Sequence, residues 1–343
     1  MKRIAVEEHF LTKDFVEYLY SRTDYPRRKI VADAGQETKD YQYYSEYCTA
    51  VFHGSVLSDM LFDLGKGRLS SMDKAGIDMQ VLSLSIPGVE PLPVEDGVMW
   101  SKRINDELAH IVKSHPGRFI GLAALPMQEP EAASAELERA VKLGLKGANI
   151  LSHVQGEYLD NEKFWVIFET AEKLDVPIYI HPREPVPQIA QLMVKYASMW
   201  SALWGFGADV GLHAALLICS GVFDRYPNLK IMLGHMGEAL PFWRWRMDNH
   251  WKRGQLAKQV SLMPSDYMKN NFYFTTSGMF FEPALLCALL SIGADNILFA
   301  ADYPYETNEE AVRFMDTAGI SPTDKEKIYH LNAEKLFKID KIE

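Results

Sequence analysis

Ile231-Met-Leu-Gly-His-Met-Gly-Glu238 is the stretch on which the fold turns: a short apolar run stops at Gly234-His235, and a helix-like segment begins. A histidine at such a junction faces the mouth of a sheet. The same grammar recurs in Val176-Pro-Ile-Tyr-Ile-His181-Pro182, in Asn296-Ile-Leu-Phe-Ala-Ala-Asp302, and in Arg3-Ile-Ala-Val-Glu7-Glu8-His9. In an α/β barrel the reactive side chains come from the C-terminal ends of several parallel strands. Here titratable or metal-binding residues end an apolar run four times.

Working outward, helical and extended patterns alternate. Strand patterns cover residues 2–6, 78–85, 119–124, 147–151, 176–180, 230–233, 271–275 and 297–300, eight in all. Between them lie helical patterns, among them 95–114, 131–143, 161–174, a long helical region at 190–223, and 283–292; terminal helices follow at 308–317 and 324–337. Pro130 opens the second of these, and Ala133, Leu137, Ala140 and Val141 share one face. Eight strands separated by helices predict an α/β fold, a (β/α)8 TIM-like barrel. Residues 10–67 show no clear strand pattern and are rich in tyrosine, with Tyr41, Tyr43, Tyr44 and Tyr47 close together. They read as an insertion after strand 1 that elaborates the barrel mouth, where such folds place specificity. With no internal repeat and no low-complexity linker, residues 1–343 read as a single domain.

Composition narrows the function. A formal net charge of -10 over 343 residues is the wrong sign for a nucleic-acid footprint, and the run Arg27-Arg28-Lys29 is too short to supply one. No apolar run approaches the roughly 20 residues needed to span a bilayer. Cys48, Cys219 and Cys287 are odd in number and widely spaced, as expected of reduced residues in a cytoplasmic protein. Glu7 and Glu8 interrupt the first apolar run, so it does not read as a signal peptide. Neither GxGxxG nor GxxxxGK[ST] follows a strand, and no GxSxG is present. Small-molecule chemistry is the expectation.

In barrel order the singled-out residues are Glu7, His9, His181, His235 and Asp302. On a strand, Glu7 and His9 point to one face, and their neighbour Glu8 to the other. Imidazole with carboxylate suits one divalent ion of the zinc or manganese kind. Two carboxylates would balance its charge and leave room for an anionic substrate. Most histidines are solvated or satisfied residues, and His53, His110, His115, His250 and His330 are read so; His153 and His213 stay open. For His181, His235 and Asp302, that bland reading requires three polar residues to end three apolar runs by chance. Burial without a partner costs roughly 2 to 7 kcal/mol even for a neutral polar group.

The residues Ala5-Val-Glu-Glu-His-Phe10, Tyr179-Ile-His-Pro-Arg183, Gly221-Val-Phe-Asp-Arg-Tyr-Pro227, Gly234-His-Met-Gly-Glu-Ala-Leu-Pro241 and Ala301-Asp-Tyr-Pro-Tyr-Glu306 resemble the amidohydrolase superfamily. Within it they resemble the metal-dependent decarboxylase branch that includes γ-resorcylate, 2,3-dihydroxybenzoate and 5-carboxyvanillate decarboxylases. The resemblance implies a single metal held by Glu7, His9, His181 and Asp302, with His235 paired to Glu238 beside it. It implies that Arg246 binds the substrate. Hydrolases of the superfamily usually carry His-x-His on strand 1, whereas this chain carries Glu7-x-His9, which favours a lyase over a hydrolase using metal-activated water. At Leu151, relatives acting on dihydroxybenzoates often carry a polar residue instead.

The implied reaction is non-oxidative decarboxylation of an ortho-hydroxybenzoate-type acid. Asp302 would be the proton donor, with His235 and Glu238 orienting it or relaying the proton. A nearby cation depresses an aspartate's pKa, which opposes that role. Trp204, Phe206 and Tyr303 are candidate pocket walls. The family habit implies a homodimer or homotetramer.

Overall fold

A computed structural model describes residues 1–32, 39–52, 54–255 and 259–339. His53 lies outside the described residues, as do parts of the 10–67 insertion.

The first strand, β1 (Ile4–Phe10), is buried at every position, which explains its run of apolar residues up to Glu7. The insertion follows, and it holds more order than its sequence pattern suggests. Helix Lys13–Ser21, capped by the Thr12 side chain, leads to β2 (Arg27–Val31), β3 (Lys39–Tyr43) and β4 (Thr49–Phe52), an antiparallel sheet of its own. β2 opens on three basic residues, β3 mixes tyrosine with charge and β4 is only four residues long, so no alternating apolar face marks them in the sequence. Tyr44 and Cys48 from this segment pack with Ile86, Leu151, Met193 and Trp200 in a cluster separate from the main core.

After helix Lys66–Ala75, closed by Gly76 at φ +71°, the barrel resumes with β5 (Met79–Leu84), β6 (Phe119–Gly121) and β7 (Ala123–Ala124). It continues with β8 (Ala148–Leu151), β9 (Ile178–His181), β10 (Ile231–Leu233), β11 (Phe272–Thr275) and β12 (Ile297–Leu298). All neighbouring pairs are parallel, in the orders β1-β5-β6 and β7-β8-β9-β10-β11-β12. Leu122 joins β6 to β7: its N–H donates to the Leu82 carbonyl (2.9 Å), and that of Ala123 donates to the Gly147 carbonyl (2.9 Å). The other seam closes where Val6 N–H donates to the Phe299 carbonyl (3.0 Å) and His9 N–H to the Tyr303 carbonyl (2.8 Å). Counting β6 and β7 as one, the eight expected strands form a (β/α)8 barrel.

Two helical expectations are corrected. The 190–223 region is not one helix: Pro187–Met193 and Gly205–Ser220 are separated by turns, with Ser198 at φ +60°. Gly205 sits so close to the Trp200 carbonyl that a Cβ would lie 2.2 Å from it. Nor does a helix start at His235. Residues His235, Met236, Gly237, Glu238 and Ala239 all have positive φ, and the helix starts only at Leu240, running to Arg253. Close packing imposes this turn: a Cβ on Gly237 would lie 2.7 Å from the Phe274 ring, and one on Gly211 2.8 Å from the Glu238 carbonyl. Among the described residues, no helix is long and apolar enough to cross a membrane.

Candidate metal centre

Glu7 and His9 leave β1 on the inner face of the barrel, His181 ends β9, and Asp302 follows β12. One ligand atom from each of these four lies within 4.8 Å of every other. His9 Nε2 is 3.0 Å from Asp302 Oδ1, and His181 Nε2 is 3.5 Å from Glu7 Oε1. The His9 and His181 rings meet edge to face, 4.6 Å between centroids.

The donors are oriented from behind. His181 Nδ1 lies 2.7 Å from the Pro182 carbonyl, which can only accept. Nδ1 therefore carries the proton, and the Nε2 lone pair faces inward. Glu7 Oε2 accepts from Thr275 Oγ1 (2.7 Å) and from Ser277 Oγ. Glu7 Oε1, His9 Nε2 and Asp302 Oδ1 are buried with no hydrogen-bond partner. Buried nitrogen and oxygen atoms left without a well-formed hydrogen bond are costly unless a cation lies between them. Two carboxylates and two imidazoles are a donor set for a divalent ion such as manganese or zinc.

Electrostatics follow from burial and neighbours. Burial raises the Glu7 carboxyl, with the His235 charge working against it. Burial, with His9 beside it, pushes the His181 imidazole well below its ordinary value, so it is neutral and free to ligate. Burial also opposes a charge on His235, but Glu238 and Glu7 outweigh it and hold the imidazole well above its ordinary value. For Asp302 burial favours the acid form, yet His235 and His9 hold the carboxyl well below the usual range.

His235 stands just outside the quartet, with Nε2 3.7 Å from Asp302 Oδ2 and 3.8 Å from Glu7 Oε1, while Nδ1 is 2.6 Å from Glu238 Oε1. Gly278, at φ +57°, keeps the space between His235 and Asp302 open: a Cβ there would lie 3.2 Å from His235 Cδ2 and 3.4 Å from Asp302 Oδ2. Gly234 does the same beside Glu7, where a Cβ would meet the Tyr179 hydroxyl at 2.8 Å.

The other expected residues are spread out. Arg246 and Trp204 are exposed, and Phe206 packs against Trp200 at 6.0 Å. Tyr303 is buried on the opposite side of β1 with the Arg68 guanidinium 4.9 Å over its ring. Tyr305 is the tyrosine beside the centre, its ring 5.6 Å from His9 and its hydroxyl 2.6 Å from Ser85 Oγ. Thr275, Ser277 and Gly278 were not singled out in the sequence. The signal was present, because β11 also ends its apolar run on polar residues, here hydroxyls.

The amidohydrolase family profile matches residues 58–339. The chain is 41% identical over 295 residues to the gamma-resorcylate decarboxylase of Polaromonas sp. (strain JS666), covering 83% of this chain and 90% of that protein. The crystal structure of 5-carboxyvanillate decarboxylase from Sphingomonas paucimobilis superposes with a TM-score of 0.88 at 36% identity, covering 99% of each chain. That of the dihydroxybenzoic acid decarboxylase from Polaromonas sp. JS666, with bound manganese and the inhibitor 2-nitroresorcinol, superposes at 0.85 with 36% identity, covering 99% and 98%.

Proposed function

We propose, from the premise that this chain belongs to the amidohydrolase family, that it is a metal-dependent carboxy-lyase acting on an ortho-hydroxybenzoate-type aromatic acid. The observation that carries the reading is the quartet Glu7, His9, His181 and Asp302, whose ligand atoms converge, three of them without a hydrogen-bond partner, in a fold shared with decarboxylases of hydroxybenzoates.

These four residues would hold one divalent ion, manganese or zinc, which would supply positive charge to attract and neutralise an anionic aromatic acid. The chain's own groups manage the proton. Glu238 fixes the His235 ring through Nδ1 and favours its charged form, so the proton is stored there. Asp302, held as a carboxylate and 3.7 Å from His235 Nε2, passes that proton to the ring carbon that bears the carboxyl group. The bond from that carbon to the carboxylate then breaks, its electron pair restores the aromatic ring, and CO2 leaves. Asp302 is thus a conduit more than a store, which resolves the conflict between a nearby cation and an acidic role.

Arg246 is assigned to the anionic substrate, and Trp204, Phe206 and Tyr305 to the pocket wall, with Tyr303 behind them. We read the chain as one domain with residues 10–67 over the barrel mouth. Phe242, Trp245 and Leu290, 74% to 85% exposed on helices Leu240–Arg253 and Glu282–Ile292, fit burial in a homodimer or homotetramer. Three unpaired cysteines fit a cytoplasmic setting.

The test is metal analysis of the purified protein followed by a CO2-release screen across ortho-hydroxybenzoates. Release of CO2 with one equivalent of divalent metal supports the reading; hydrolysis of amides or esters without CO2 release replaces it with the hydrolase.

A further inference from the structure

Glu8 is fully buried, as are Arg68 and Gln80 beside it. Glu8 faces away from the quartet, yet its carboxylate grips the loop that carries Asp302. Oε1 accepts from the Ala301 N–H (3.0 Å) and Oε2 from the Tyr303 N–H (3.0 Å), the two amides that flank Asp302. Oε2 also accepts from Gln80 Nε2 (3.3 Å). Gln80 Oε1 in turn accepts from Arg68 Nη1 (3.4 Å). Arg68 Nη2 donates to the His9 carbonyl (2.5 Å), and the same guanidinium covers the Tyr303 ring. The backbone of the loop is held from the other side by Asp302 N–H donating to the Glu7 carbonyl (3.0 Å).

The grip is needed because Asp302 sits at φ +73°. That left-handed conformation costs a non-glycine residue energy and persists only where its surroundings over-determine it. Two hydrogen bonds on the flanking amides from a single buried carboxylate supply such a constraint.

We propose that Glu8 is a positioning residue: through the Ala301 and Tyr303 amides, and through Gln80 and Arg68 to the His9 carbonyl, it fixes Asp302 and His9 in ligating geometry. This rests on the metal reading above. Glu8→Gln separates the two ideas, because the amide has one accepting oxygen. Whichever way it turns, its NH2 faces the N–H of Ala301 or Tyr303, and one amide loses its acceptor.

The experiment compares the full-length wild type, Glu8→Gln and Glu8→Asp, each loaded with Co(II). It reads cobalt affinity by chelator competition, the visible absorption of the bound cobalt, and the melting temperature. Glu8→Asp keeps the charge but is too short to reach both amides, and it serves should the glutamine variant not fold. The expected result is a loss of cobalt affinity of about 10- to 100-fold in the folded variant, the range for partners that orient ligands, with a changed cobalt spectrum. A variant that melts lower but binds cobalt with wild-type affinity and spectrum overturns the positioning role. A wild type that binds no cobalt overturns the metal reading and this inference together.

Discussion

Glu7 and Glu8 are adjacent on β1, both fully buried, and they end in opposite situations. Glu8 has both oxygens satisfied by N–H donors, whereas Glu7 has one oxygen held by Thr275 and Ser277 and one with no partner. Burial is therefore common to a residue that holds the backbone and a residue that awaits a ligand. The unmatched lone pair tells them apart, because a buried oxygen with no donor calls for another partner.

The strongest way to break this comparison is to remove ligands on the Glu7 side. Glu7→Gln, His181→Ala and Asp302→Asn should each strip the metal, seen by elemental analysis, and lower CO2 release by at least about 10³-fold, on the order of 4 kcal/mol. Full metal content in any one of them would remove that residue from the set. His235→Asn should behave differently, since His235 lies outside the quartet. We expect kcat to fall roughly 10²- to 10⁴-fold, the usual range for a lost proton-transfer group, with metal content intact. Loss of metal instead would move His235 into the ligand shell.

Arg246→Ala probes the substrate side, with KM expected to rise about tenfold or more and kcat little changed, in keeping with loss of a hydrogen bond to a charge. An unchanged KM would reject the assignment. A last test, on stability and not on activity, concerns buried histidines away from the quartet. Burial pushes His153 and His213 down to about 3, from 6.5. Above pH 6.5 neither the folded nor the unfolded chain protonates them. Below it the unfolded chain takes up protons first, so stability is lost between about pH 6.5 and about 3, at up to about 1.4 kcal/mol per pH unit for each group. His213→Gln should flatten that acid limb in urea titrations while leaving metal content at neutral pH unaltered. A limb as steep as the wild type's would show that His213 does not titrate this way.

Much of the centre was legible in the sequence because strands end abruptly. Glu7, His9, His181 and Asp302 each close an apolar run, and period-two alternation puts Glu7 and His9 on one face. The hydroxyls of Thr275 and Ser277 carry the same signal more weakly, since hydroxyls end buried strands for many reasons. Tyr303 and Tyr305 show where alternation stops being useful: Asp302 at φ +73° breaks the extended backbone, and the ring near His9 is that of Tyr305.

By itself, the sequence determined the eight strands, most of the helices between them and the residues at the strand ends, because hydrophobic period and chain stops are local properties. Tertiary structure alone decided the left-handed turn from His235 to Ala239, which is imposed by packing against Phe274 and Gly211. It alone decided that Glu8 is bound to the Asp302 loop, from a segment nearly three hundred positions away. Local pattern says which side of a strand a carboxylate takes; only barrel closure brings it the donors that satisfy it or leave it bare.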